Sequence, residues 1–248
     1  MSLETIVFLA LGAIAGSFVN GLAGTGTALF ALGFYLVVLD PISAVAIVAL
    51  MSVVTGLQGL WTVRAEIPAY PRHLLIFVGS GLLGVPFGIM LLNAIDAGTL
   101  RIAIAILLIL YGGYFGFQKA LPAFSRKTPY WDATIAFVGG VLGGSASASG
   151  ALPAMWLSLR PWAKSRTRAL LQPYNVAILG TTAMALFFRG AYDRNTLAAL
   201  LIVVPTGLLS AQVGIAVFKA LSDIAFRRLL IVLTLLMGLG ILASEVSP

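Results

Sequence analysis

The sequence predicts an all-α polytopic membrane protein made of two inverted-topology repeats, each with one re-entrant hairpin of short helices and three transmembrane helices. Three observations predict it. Apolar residues make up 60% of the 248 and charged residues only 9%, with a mean hydropathy of +1.05, beyond what a soluble domain carries. Apolar runs of about 20 residues, each able to cross ~30 Å of hydrocarbon as a helix, recur from end to end. The two halves of the chain also echo each other at a shift of about 126 positions.

In chain order the apolar segments are 5–20, 27–39, 42–63, 74–94, 98–118, 131–144, 149–159, 167–188, 195–218 and 224–244. Six have spanning length. The other four form adjacent pairs, 5–20 with 27–39 and 131–144 with 149–159, whose members of 11 to 16 residues are short for a crossing. Each pair is one broken helix or a hairpin. Basic residues separate the two, because a hairpin returns the chain to the side it left and a broken helix does not. With hairpins, Arg64, Arg72, Lys119, Arg126, Lys127, Arg160, Lys164, Arg166, Arg168, Lys219, Arg227 and Arg228 share one side, leaving Arg101, Arg189 and Arg194 on the other, twelve against three. With broken helices the split is seven against eight, which is no bias.

The basic side is therefore expected in the cytoplasm and both termini outside, in a cytoplasmic (inner) membrane. Residues 1–5 hold Glu4 and no Lys or Arg, the wrong charge for a cleaved signal peptide. One integral membrane domain covers 1–248, with repeat one over about 5–118 and repeat two over about 131–244.

The echo between the halves is an ordered series. Gly12 answers Gly139, Gly16 answers Gly143, Gly88-Ile89 answers Gly214-Ile215, Arg101 answers Arg227, and Gly112 answers Gly238. Arg64-Ala65 and Arg189-Gly190 match at 125. Each half has three full spans, an odd number, so the second half enters from the opposite face. Inverted repeats with discontinuous helices meeting near the midplane are the usual construction of secondary transporters.

The hairpin tips carry the candidate site. The first reads Asn20-Gly21-Leu22-Ala23-Gly24-Thr25-Gly26-Thr27 and the second Gly143-Gly144-Ser145-Ala146-Ser147-Ala148-Ser149-Gly150. A short helix starts after each, so free N–H groups and a positive dipole end point inward from opposite faces and suit an anion. Asn20, Thr25, Thr27, Ser145, Ser147 and Ser149 are expected donors, and Gly24, Gly26 and Gly150 allow backbone approach. Gln172 and Asn175, three apart on one helical face, are expected to line the wall. Ser52, Thr55, Gln58 and Thr182 are further polar candidates, and Pro86 and Pro205 are expected to kink their helices.

Several chemistries find no residues to use. There is no cysteine and one histidine, His73, so thiolate and histidine-rich metal sites are not expected, and no cofactor is. No Asp, Glu, Lys, Arg or His lies near the centre of a segment, which argues against a proton relay or a divalent-cation path. Gly24-Thr25-Gly26 follows no strand and lacks a P-loop lysine, so an enzyme is not expected. The net charge of +7 sits in loops, where topology explains it without nucleic acid. The partners expected are a small anionic substrate, the lipid bilayer and, as a candidate, a second copy of the chain.

At these residues the sequence resembles the TauE/SafE family of sulfite exporters, over nearly the whole chain. The resemblance rests on Asn20-x-x-x-Gly24-x-Gly26, on the order and length of the segments, and on Arg189-Gly190-Ala191-Tyr192-Asp193, similar to that family's basic-Gly-acidic ending. The second glycine cluster departs from the pattern: where the family tends to have Gly-x-Gly-Gly-Gly before a proline, this chain has Gly144-Ser145-Ala146-Ser147-Ala148, then Pro153. The resemblance implies a carrier of sulfite, sulfonates or related small organic anions, and the inverted repeats make alternating access the expected mechanism. A passive anion channel and a non-transporting assembly factor are the competing expectations.

Overall fold

The computed structural model describes residues 1–94, 97–116, 124–126 and 128–246. Among them the chain forms helices and no strand. The order is α1 (Leu3–Ala23), α2 (Thr27–Tyr35), α3 (Pro41–Val63), α4 (Pro71–Ala94), α5 (Ala97–Gly116), α6 (Pro129–Ala146), α7 (Ala151–Ser158), α8 (Lys164–Phe188), α9 (Arg194–Ala220) and α10 (Asp223–Val246), with a 3-10 turn, Ile67–Ala69, before α4. Each apolar segment read from the sequence overlaps one of these helices. Five are long and apolar enough to cross a membrane: α1, α3 from Ile42, α4 as far as Leu91, α8 and α9. The protein is thus a multi-pass membrane protein. Lys119, Lys127 and Asp96 lie outside the described residues.

One difference from the expected lengths matters. The first arm of each pair is longer than its apolar run: α1 has 21 residues, about 31 Å of helix, and α6 has 18. The second arms, α2 and α7, have only 9 and 8. Small and polar residues such as Asn20, Gly21 and Ser145 end an apolar run by composition, yet the helix continues through them because protein rather than water surrounds them. Pro86, Pro173 and Pro205 also lie inside continuous helices.

The short arms fold back along the long ones. Gly12 lies against the Tyr35 ring and Gly16 against Ala31 and Thr27, so α2 runs antiparallel to α1. Asp132 near the start of α6 reaches Arg160 just after α7, so that pair also closes on itself. Close backbone contact holds these units to the rest of the bundle. Gly21 packs on Ala211 and Gly214 on Phe18, joining α1 to α9, while Gly84 and Gly140 join α4 to α6. The largest apolar cluster joins α1, α4, α6, α7, α8, α9 and α10 through residues such as Leu22, Phe77, Leu157, Tyr174, Phe218 and Phe226.

The two ends of the bundle differ in charge. At one end Arg166 stacks on Trp162 and Tyr70, His73 meets Trp162, and Lys164 donates to Phe218 O and Lys219 O, bringing the basic loops together. At the other end Asp40 caps α3 and Asp193 caps α9, and the Thr196 hydroxyl meets the Ser43 hydroxyl at 3.1 Å.

The Asp40 carboxyl is held below its usual value of 3.8 by the Ser43 side chain, then by the backbone N–H groups of Ser43 and Ile42. A lowered folded pKa means this cap stabilises above the unfolded value, and the contribution is lost as pH falls through the folded one. Asp40→Ala is expected to lower stability by about 0.5–1 kcal/mol near neutral pH, the smaller part of the capping range because the group is exposed. Thermal melting in detergent at neutral and strongly acidic pH checks it: the gap between wild type and variant narrows in acid.

Candidate functional site

Both long arms end in a left-handed residue that stops the helix and turns the chain. In α1 it is Gly24, φ 82°, whose N–H returns to Asn20 O at 2.8 Å, and Gly26 at φ 100° then starts α2. In α6 it is Ser147, φ 54°, with its N–H on Gly143 O at 3.0 Å. Ser147 is the one non-glycine residue with positive φ among those described, so its local backbone is strained by position.

The two tips touch. Thr25 packs on the Cα of Gly150 so closely that a Cβ at position 150 would overlap its hydroxyl. Every tip and α8 candidate is buried, from Ser149 and Gln172 at 0% exposure to Ser145 at 5%, whereas Gln58 on α3 is half-buried. Asn20 Nδ2 donates to Thr55 Oγ1 at 2.8 Å and to Ser52 O at 3.1 Å. The Asn20 and Gln172 amides both face Gly56 of α3, and Gln172 also faces Gly24. Across the contact, the Ser149 hydroxyl bonds Asn175 Oδ1.

Two expected donors are turned elsewhere. The Ser145 hydroxyl points to Leu142 O at 3.5 Å within its own helix, and Ser147 Oγ donates to Val45 O at 3.3 Å on α3. Thr182 donates to Gly143 O at 3.3 Å and Ile178 O at 3.0 Å, which pins α8 to the second tip. The structure thus gathers Asn20, Gly24 and Gln172 on one flank, Thr25 and Gly150 at the contact, and Ser149 with Asn175 on the other.

Several of these polar atoms have no partner in the protein: Asn20 Oδ1, Thr27 Oγ1, both amide atoms of Gln172 and Asn175 Nδ2. A buried polar atom left unpaired costs about 1–3 kcal/mol, so a cluster of them marks a place where something else supplies the bonds. Two apolar grooves, lined by residues such as Leu197 and Val204 or Phe8 and Phe34, involve none of the tip residues.

One residue was not singled out by sequence. Arg168, one turn into α8, is fully buried, with its guanidinium 4.2 Å from the Phe218 ring and Nη1 3.5 Å from Leu22 O. Its Nε and Nη2 have no partner, and it lies beside Gln172 against Gly59. The sequence grouped it with the basic loops. The signal available was its spacing, since Arg168, Gln172 and Asn175 recur on one helical face.

The family model described as Sulfite exporter TauE/SafE matches residues 8–241. No curated protein and no solved structure matches the chain.

Proposed function

The chain belongs to the sulfite exporter TauE/SafE family of membrane transporters, and from that premise we propose that it moves a small sulfur-containing or other organic anion across the cytoplasmic membrane by alternating access. The anion is held near the midplane where the two tips meet. The observation that carries this reading is the contact of Thr25 with Gly150 amid buried polar atoms that have no protein partner.

Asn20, Thr25, Thr27, Ser149, Gln172 and Asn175 supply hydrogen bonds, and the α2 and α7 N-terminal amides add their partial positive charge, about 0.5 of an elementary charge per helix end. The turn amides of Gly24 and Ser147 are bonded within their own arms, to Asn20 O and Gly143 O, which satisfies the backbone where each buried hairpin turns. The basic end of the bundle faces the cytoplasm.

Reciprocal packing supports two related halves. α1 packs on α9 as α6 does on α4, α2 folds on α1 as α7 does on α6, and α3 meets α8 as α5 meets α10. Gly88 lies against Val141 and Ser145, and Gly214, 126 later, against Phe18 and Leu22. The hairpins correspond at 123: Gly24 and Ser147 are the left-handed stops, and Gly16 and Gly139 face Thr27 O and Ser149 O. By this spacing the pairing of Gly12 with Gly139 is offset, and the nearest neighbour of Gly12 is the Tyr35 ring. In this reading the hairpins move relative to the α3 and α8 pair, opening the tips to each face in turn.

The test is counterflow with purified protein in liposomes, using sulfite, sulfoacetate and acetate. Uptake stimulated by the same anion on the trans side is expected. Flux without trans-stimulation would mean a passive channel, and no flux of any anion would favour the assembly-factor reading.

A further inference from the structure

We infer that Arg168 and Gln172 form the charge-binding half of the anion site, a clasp on the basic-end flank of the tips that takes two oxygens of a sulfonate, sulfite or carboxylate head. This rests on the transport reading above and adds to it the residue that neutralises the substrate.

The charge around Arg168 is out of balance. Arg168 is fully buried and, among the described residues, no carboxylate pairs with it; the buried Asp132 is taken by Arg160 at 3.1 Å. Arginine keeps its proton in proteins, so this is a cation in an apolar surround. Its one protein acceptor, Leu22 O, is at 3.5 Å, the limit of a hydrogen bond, and two nitrogens of the fork remain free. Such a group is unfavourable to bury unless it is paired and hydrogen-bonded. The missing partner is an anion.

Geometry gives its shape. Gln172 follows Arg168 by one helical turn on the same face, and both atoms of its amide are unpartnered. Gly24 of the first tip and Gly59 of α3 stand against this pair, and a side chain at Gly59 would overlap Gln172 Oε1 and lie 3.0 Å from Arg168 Nη2. The Gln172 Oε1 lies on the Gly59 and Gly24 side, beside Arg168 Nη2, and its N–H₂ faces Gly56. The free Nε and Nη2 of Arg168 form one edge of the guanidinium and match two oxygens of one head group, with the Gln172 N–H₂ one helical turn away as a further donor.

The clasp is one-sided. The positions 127 earlier, which correspond by the spacing of Thr55 and Thr182, are Pro41 and Val45. The opposite flank therefore has no charged residue at these two positions and offers Ser147 on Val45 O.

The test uses full-length protein in detergent, with melting followed against sodium sulfite, sodium sulfoacetate and sodium acetate. Arg168→Met removes the charge and keeps the volume. It is expected to melt no lower than wild type without ligand, because an unpaired buried cation is gone. It is also expected to need roughly tenfold to a hundredfold more anion for the same shift, the worth of one charged hydrogen-bond pair. Arg168→Lys, which keeps the charge but not the fork, falls between.

A lower ligand-free melting point with an unchanged anion requirement would overturn the inference and make Arg168 a structural clip on Leu22 O. If Arg168→Met does not fold, Arg168→Lys decides by the same measure: a weakened anion response supports the clasp, an unchanged one removes it. A wild type that responds to none of the three anions removes the transport reading itself, a result distinct from either variant's. Comparing sulfoacetate with acetate tells a sulfonate head from a carboxylate.

Discussion

Gly150→Ala is expected to abolish most anion flux and to lower stability by about 3 kcal/mol, the upper part of the range for overpacking a tight interior. The added methyl would overlap the Thr25 hydroxyl and lie 3.0 Å from its methyl, so one tip must move. Neither moves cheaply. Gly24 is fixed by its bond to Asn20 O, and Thr182 and Asn175 hold the second tip to α8. Thr25→Gly in the same protein takes away the obstructing side chain and is expected to restore the melting temperature without restoring full flux, because the Thr25 hydroxyl is also lost. Counterflow and melting measured together check this. Wild-type values in Gly150→Ala would mean that the tips do not meet.

The second large effect lies away from the tips. Asp132→Ala is expected to cost about 3–5 kcal/mol, the penalty for leaving a buried charge without its partner. Asp132 accepts from Arg160 Nη2 at 3.1 Å and from the Trp156 indole N–H at 2.6 Å, with both ionised side chains about 4% exposed or less. Arg160 keeps Thr128 Oγ1 at 2.5 Å and Arg126 O, but these are neutral. The start of α6 and the end of α7 would lose their main tie. Replacing both partners, with Asp132→Leu and Arg160→Met, leaves no orphan charge and is expected to return melting close to wild type. A double variant as unstable as the single one would show that the hydrogen bonds, not the isolated charge, carry the effect.

The helices were legible in the sequence because apolar length is a composition signal that needs no tertiary context. Gly24, Gly26 and Thr25 were legible as a tip for the same reason, since glycine and hydroxyl residues interrupt an apolar run. The ends of α1 and α6 were not, because whether Asn20 or Ser145 stays helical depends on neighbours such as Thr55 on another helix. Arg168 was hidden by the rule that served best elsewhere. Counting basic residues by loop groups it with its basic neighbours, yet cannot tell that α8 has already begun at Lys164 and turned this arginine inward. Ser145 and Ser147 looked equivalent to Ser149, and only the α6 backbone decides which hydroxyl reaches Asn175.

The glycine seams that join α1 to α9 and α4 to α6 have a mechanical consequence. Backbones in direct contact leave no compliant layer of side chains between them, so each seam behaves as one stiff plank. Each plank is stitched from opposite halves of the polypeptide. Any piece that moves is then a composite, and neither half of the chain can shift its hairpin without carrying a helix of the other along.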